Sequence, residues 1–318
     1  MKRRTVLTSV TSILLAGCLT ESSPGGSDTS VAKTSTPGTT QARRTTAGRA
    51  ADTPAPPNLE TPNENHCPPF DDDVRRVVCY EDVDSETNLL MTPSKQRIGL
   101  PKATVSFELT NETGTTFTTN YYAWSVWKYV DSEWFYVGPQ MIPEPAMMLE
   151  SGGSHTWTLT VDNTILGGAI GGAQGTGEIT LPGLGGGTYA FGIDGWFRGQ
   201  KYDNGTGVAT RFELVGDSLS LTPTDDLQVV GRDGDEKHVR AGQASTTYLA
   251  TRVENPNGET IRKIPEQVIR LTRIRNLLAS FEDGVSRVRL DGRDTSFGNS
   301  TVLIEYEGRT YRIETAEY

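Results

Sequence analysis

Apolar residues recur at every second position in several short runs between residues 100 and 216. Ala103, Val105, Phe107 and Leu109 alternate with polar neighbours, which places them on one face of a strand. Asn111-Glu112-Thr113-Gly114 then turns the chain. Residues 122–130 predict the next strand, with Tyr122, Trp124 and Val126 on one face and Trp127 and Tyr129 on the other. Asp131-Ser132-Glu133 turns it back into residues 134–137, which include Trp134 and Tyr136. Residues 154–161, 187–197 and 208–215 read as further strands. Short strands separated by turn signals predict a β-sandwich.

The pattern changes in the last hundred residues. Two short strands are expected within 219–230, a turn at 231–235 and a strand at 246–253, ended by Asn255-Pro256-Asn257-Gly258. The period then becomes helical. Pro265 suits a first helical position. Val268, Leu271, Ile274, Leu278 and Phe281 follow at three- and four-residue steps, and Gly284 is a stop. This predicts one helix of about four turns. Strands resume at 285–290, and 301–316 reads as a hairpin turning at Glu307-Gly308. The whole reads as a small α+β unit, one helix covering an antiparallel sheet.

The first eighteen residues have another organisation. Met1-Lys2-Arg3-Arg4 is a basic head, Val6 to Ala16 a short and largely apolar run, and Leu15-Ala16-Gly17-Cys18 closes it. Eleven residues cannot cross a bilayer core that needs about twenty, so the layout reads as a secretory signal. Leu-Ala-Gly before Cys18 resembles a lipobox, which implies cleavage before Cys18 and lipid on its sulfur. The Arg3-Arg4 pair resembles a twin-arginine export signal. The partner this implies is a membrane, reached through the lipid on Cys18, with the protein exported and anchored on the outer face. Residues 19–66 are mostly Ser, Thr, Pro, Gly, Ala and Asn, with no aromatic residue. Such a segment cannot bury enough apolar surface to order itself, and reads as a stalk.

Charge narrows the partners. The chain carries −10, and loss of Lys2, Arg3 and Arg4 with the leader takes the mature chain to −13. That argues against nucleic acid. An acidic lipoprotein with this signal resembles exported proteins of salt-loving archaea. With Cys18 lipidated, Cys67 and Cys79 remain as an even pair, which reads as a disulfide in an oxidising space. The rival is a metal site, but only His66 lies near and no second Cys-x-x-Cys exists. Asp71-Asp72-Asp73 reads as a solvated charge run.

Four segments carry a family resemblance: the strand from Ala103 to Asn111, the aromatic hairpin from Trp127 to Val137, the Gly turn and Thr-rich strand from Leu149 to Leu159, and Leu184-Gly-Gly-Gly-Thr-Tyr-Ala-Phe191. In this order they resemble the immunoglobulin-like domains of bacterial and archaeal surface lipoproteins. The match covers about residues 100–216. A Gly-rich insert at 165–187 departs from it. The expected organisation is a signal peptide at 1–17, a lipidated stalk at 18–66, an immunoglobulin-like sandwich with a disulfide-bearing extension at 67–216, and an α+β domain at 217–318.

Candidates for chemistry are few. His66, His155 and His238 are the three histidines, and nothing in the sequence sets one beside a nucleophile. Nucleophile-elbow, phosphate-loop, Rossmann and zinc-protease patterns are absent. No catalytic residue, metal ligand or cofactor is expected. Trp124, Trp127, Tyr129, Trp134 and Tyr136 form the candidate ligand platform. One face of that hairpin should be core. The other either meets a surface glycan or envelope protein, or is capped by the Gly-rich insert or the C-terminal unit. Arg270, Arg273 and Arg275, preceded by Arg262 and Lys263, either meet an anionic surface or form a solvated helix face. Asn111, Asn204 and Asn299 head Asn-x-Ser/Thr sequons and are candidate glycan acceptors. The leading expectation is a non-catalytic surface protein that binds or scaffolds. The alternative is a solute-binding or enzyme-accessory lipoprotein with its ligand held between the two folded units. The oligomeric state is not legible.

Overall fold

The computed structural model describes residues 67–292 and 301–316. The signal, Cys18, the stalk, His66 and Asn299 lie outside the described residues. Those described fall within one compact unit, residues 51–318. The fold is mainly β.

The first twelve strands make a sandwich. They are β1 (Val74–Cys79), β2 (Leu89–Pro93), β3 (Arg97–Gly99), β4 (Lys102–Asn111), β5 (Phe117–Thr119), β6 (Ser125–Val130), β7 (Glu133–Gly138), β8 (Met147–Leu149), β9 (Gly153–Asp162), β10 (Glu178–Thr180), β11 (Gly187–Phe197) and β12 (Gly205–Val215). In the larger sheet β12 pairs antiparallel with β11, and takes β1 and β3 in parallel. Beyond β11 come β5 then β8, and β6 then β7. The smaller sheet runs β10-β9-β4-β2. The alternation expected of β4 holds: Val105, Phe107 and Leu109 point into the core between the sheets. Phe107 stacks on Phe191 of β11 at 4.2 Å, and Trp124 and Trp157 are wholly buried beside them.

The disulfide-bearing extension, residues 67–100, supplies β1, β2 and β3. These strands are short, and two of them pair in parallel along one side of β12, so no long alternation marks them. The disulfide between Cys67 and Cys79, Cα atoms 6.0 Å apart, fastens a strap to the outer face of the larger sheet. Phe70 of that strap lies over Gly192 and Gly207, where a Cβ on Gly207 would meet its ring at 2.7 Å. Glycine is required there by the close approach.

The rest is a seven-stranded sheet with its own core. Its strands are β13 (Leu227–Asp233), β14 (Glu236–Ala241), β15 (Thr246–Val253), β16 (Thr260–Lys263), β17 (Arg287–Gly292), β18 (Val302–Tyr306) and β19 (Arg309–Ala316), in the order β13-β14-β17-β15-β19-β18-β16. The expected antiparallel sheet is in fact mixed, because β14–β17 and β16–β18 pair in parallel. The two strands expected within 219–230 are replaced by one that starts at Leu227 and ends at Asp233, and the expected turn falls at Gly234-Asp235.

The expected single helix is two: α1 (Pro265–Val268) and α2 (Thr272–Leu278). The break has a polar cause. Arg270 turns its guanidinium back onto the Glu266 carbonyl, the group that its own backbone N–H would take in a continuous helix. The apolar stripe still does its work. Val268, Ile274 and Leu278 are buried with Tyr248, Ala250, Val288, Leu290 and Ile313, and Leu271 and Phe281 pack at the margin.

The Gly-rich insert joins the two sheet systems. Ala173, Ile179, Leu181 and Leu184 enter the sandwich core. Four of its carbonyls, those of Leu166, Gly168, Pro182 and Gly183, face the helices. Chain crossings here are tight: a Cβ on Gly185 would lie 2.2 Å from the Leu219 nitrogen.

Candidate binding face

The two faces of the β6–β7 hairpin have different fates. Trp124, just before β6, is core, and its Nε1 donates to the Gly175 carbonyl of the insert at 3.1 Å. Trp127, Tyr129, Trp134 and Tyr136 share the outer face, since Trp127 pairs with Tyr136 and Tyr129 with Trp134 across the hairpin. Phe70 meets Trp127 edge-on at 5.1 Å, and Trp127 meets Tyr136 at 6.2 Å. Trp127 is therefore covered, although by the N-terminal strap and not by the insert or the C-terminal unit. Coverage thins toward the hairpin tip. Tyr129 is 39% exposed, Trp134 is half-buried, and their rings lie 4.9 Å apart.

The tip is rigid and polar. Asp131 and Ser132 both have positive φ, the geometry of a two-residue turn that matches strand twist. Arg262 of β16 bonds Asp131 and Glu133, the latter at 3.4 Å, and its guanidinium lies 5.2 Å from the Phe135 ring centre. The Tyr136 hydroxyl donates to the Pro139 carbonyl at 2.5 Å, and Gln267 donates to the Tyr136 carbonyl at 2.8 Å. The rings stand on a backbone tied to both sheet systems.

Behind the hairpin lies a buried polar junction. Lys128 reaches Glu266 at 2.5 Å, and the same carboxylate oxygen accepts from the Gly185 N–H and the Tyr189 hydroxyl. Arg270 donates to the Pro182 and Gly183 carbonyls. Arg275, wholly buried, donates to Leu166, Gly168, Thr222 and Pro223 carbonyls. Burial pulls the Arg270 guanidinium down to about 10, with Tyr189 and Glu266 holding it up, so it stays charged at neutral pH. Arg270 and Arg275 are thus neither a solvated helix face nor an anionic docking surface. They are internal ties, invisible to a helical pattern because their partners are backbone oxygens from a glycine-rich loop.

The other candidates are dispersed. Asn111 is fully buried. Its amide donates to Thr115 and Leu149 carbonyls and its oxygen accepts from Thr113, so the folded protein does not present it for glycosylation. This corrects one of the three sequons. Asn204 lies in a half-exposed turn. His155 stacks on Tyr121 at 3.7 Å, and His238 bonds Asp291 at 2.8 Å, far apart in the chain's architecture. Among the described residues no group of three or more side chains is placed to hold a metal ion, and no helix is long and apolar enough to cross a membrane. Comparison with known protein families and with curated proteins finds no match.

Proposed function

We propose that this chain is an exported, lipid-anchored surface protein that binds or scaffolds without catalysis, through the outer face of an immunoglobulin-like sandwich. The reading of the anchor comes from the sequence: the basic head, the apolar run and Leu15-Ala16-Gly17-Cys18. The observation that carries the binding role is the graded aromatic strip, covered at Phe70 and Trp127 and open at Tyr129 and Trp134. A hydrophobic face that ends in one exposed ring, Tyr129, packed on a half-buried one, Trp134, suits a platform better than a core. The alternative, a ligand held between two folded units, is less well supported. Direct bonds from Lys128, Gln267 and Arg270 fill that junction.

The test has two parts. Cys18→Ser should move the protein from the membrane to the soluble fraction of its native cell. Unchanged membrane partition defeats the anchor. Cross-linking from the hairpin tip in the native envelope should capture a defined component that competes with added purified protein. Capture that is equal from a site on the β19 side defeats the platform.

A further inference from the structure

We infer that the ring pair Tyr129–Trp134 is a subsite for a neutral hexopyranose, the sugar unit of a glycan. This rests on the reading of the hairpin as a binding platform and names its ligand. The rings supply the first element of sugar recognition. A pyranose has an apolar face of C–H bonds that packs on aromatic faces, and a rim of hydroxyls that needs hydrogen-bonding partners. Tyr129, 39% exposed, and the half-buried Trp134 lie 4.9 Å apart with their planes tilted by 51°.

The rim supplies the second element. Asp131 and Glu133 flank the rings in the same turn, with side chains 72% and 60% exposed. Arg262 bonds both and offsets one of their two negative charges. Two carboxylates and one guanidinium in a network give acceptors and donors close to the rings without a strong net field. A cationic ligand would compete with Arg262 for the same carboxylates, and an anionic one would face their excess negative charge. A neutral polyhydroxylated ring needs neither, because its hydroxyls can bond to the free lone pairs and N–H groups of the intact network.

Preorganisation is the third element. The turn geometry at Asp131 and Ser132, the Tyr136–Pro139 bond and the Gln267–Tyr136 bond fix the hairpin before any ligand arrives. Little ordering entropy remains to be lost on binding.

The experiment titrates the full chain with neutral oligosaccharides (gluco-, manno- and galacto-hexaoses) and with a uronic-acid hexamer, followed by tryptophan fluorescence and by saturation-transfer NMR. At least one neutral oligosaccharide should bind saturably, and the uronate at least tenfold more weakly. Trp134→Ala and Tyr129→Ala should each weaken binding at least tenfold with unchanged melting temperature, and Tyr129→Phe should keep it. No saturable binding of any neutral hexaose, stronger binding of the uronate, or binding indifferent to both alanine variants overturns the inference. If the hairpin tip still cross-links a defined envelope protein in that case, the platform stands and only the sugar falls. If neither sugar nor envelope component engages it, both fall.

Discussion

Lys128 Nζ and Glu266 Oε1 lie 2.5 Å apart, one from the sandwich and one from the first helix, with the glutamate side chain fully enclosed. Removing one partner of a buried pair leaves the other charge uncompensated, at a cost of about 3–5 kcal/mol. Lys128→Met should therefore lower unfolding free energy by that order in urea titration. Lys128→Met with Glu266→Leu should recover part of the loss. Full recovery is not expected, because the Gly185 N–H loses its acceptor, whereas the Tyr189 hydroxyl keeps the Gly185 carbonyl.

Leu271→Asp tests whether the two cores unfold together. All five tryptophans lie in the sandwich, whereas Leu271 packs against the other core. With Lys128, Arg270 and Arg275 joining the two, the fluorescence of the sandwich should be lost in the same transition as the far-ultraviolet signal of the whole chain. A boundary at residues 216/217 between independent domains predicts the opposite outcome, tryptophan fluorescence intact at a temperature where the second sheet has melted.

The strap depends on its cross-link and on its glycine floor. Cys79→Ser should cost about 2–5 kcal/mol, the usual range for a native disulfide, and should open residues 67–73 to proteolysis. Gly207→Val should have a similar local effect with the disulfide intact, since any Cβ there meets Phe70. Limited digestion with mass mapping distinguishes the two from global unfolding.

His155 carries a pH signature. Burial lowers its pKa from the ordinary value of 6.5, with the Thr176 carbonyl opposing. The unfolded chain then binds a proton that the folded one resists, so stability is present above the unfolded pKa and falls as pH drops through 6.5 toward the lower folded value. His155→Gln should flatten that slope on the acid side of the ordinary histidine value. NMR titration of the ring should give a midpoint below 6.5, and a midpoint above it would refute the assignment.

Glycan occupancy should divide the two described sequons. Peptide mapping of protein from its native cell should find Asn111 unmodified. Any glycan within the described residues should sit on Asn204. Asn111→Ala should also destabilise the fold, because it removes the amide that donates to the Leu149 and Thr115 carbonyls and the oxygen that accepts from Thr113.

Two of the longer strands were legible because one face of each is buried and the other wetter. β4 and β9 show that alternation directly, β11 is buried on both faces, and β15 and the β18–β19 hairpin run close to their expected bounds. β5, β8 and β10 are three residues each, too short to show any period. The helical stripe was readable, but its interruption was not. Arg270 and Arg275 look like surface residues in any single-chain pattern, and only the carbonyls of residues 166–183 and 222–223 explain their burial. The aromatic hairpin was visible as a cluster. Which ring stays open was not, because Phe70 comes from fifty-seven residues before Trp127.

The strap also sets how the fold would bear mechanical load. Tension applied to the chain at Cys67 meets the cross-link first. The disulfide passes it straight to Cys79 at the end of β1, which is laddered to β12. Phe70 sits inside the cross-linked loop, in parallel with the covalent route, and is shielded from the pull. Its seat on Gly192 and Gly207 would stay closed under tension. After reduction the same force would act on the strap itself, and Phe70 would peel away from Trp127 before β1 yields.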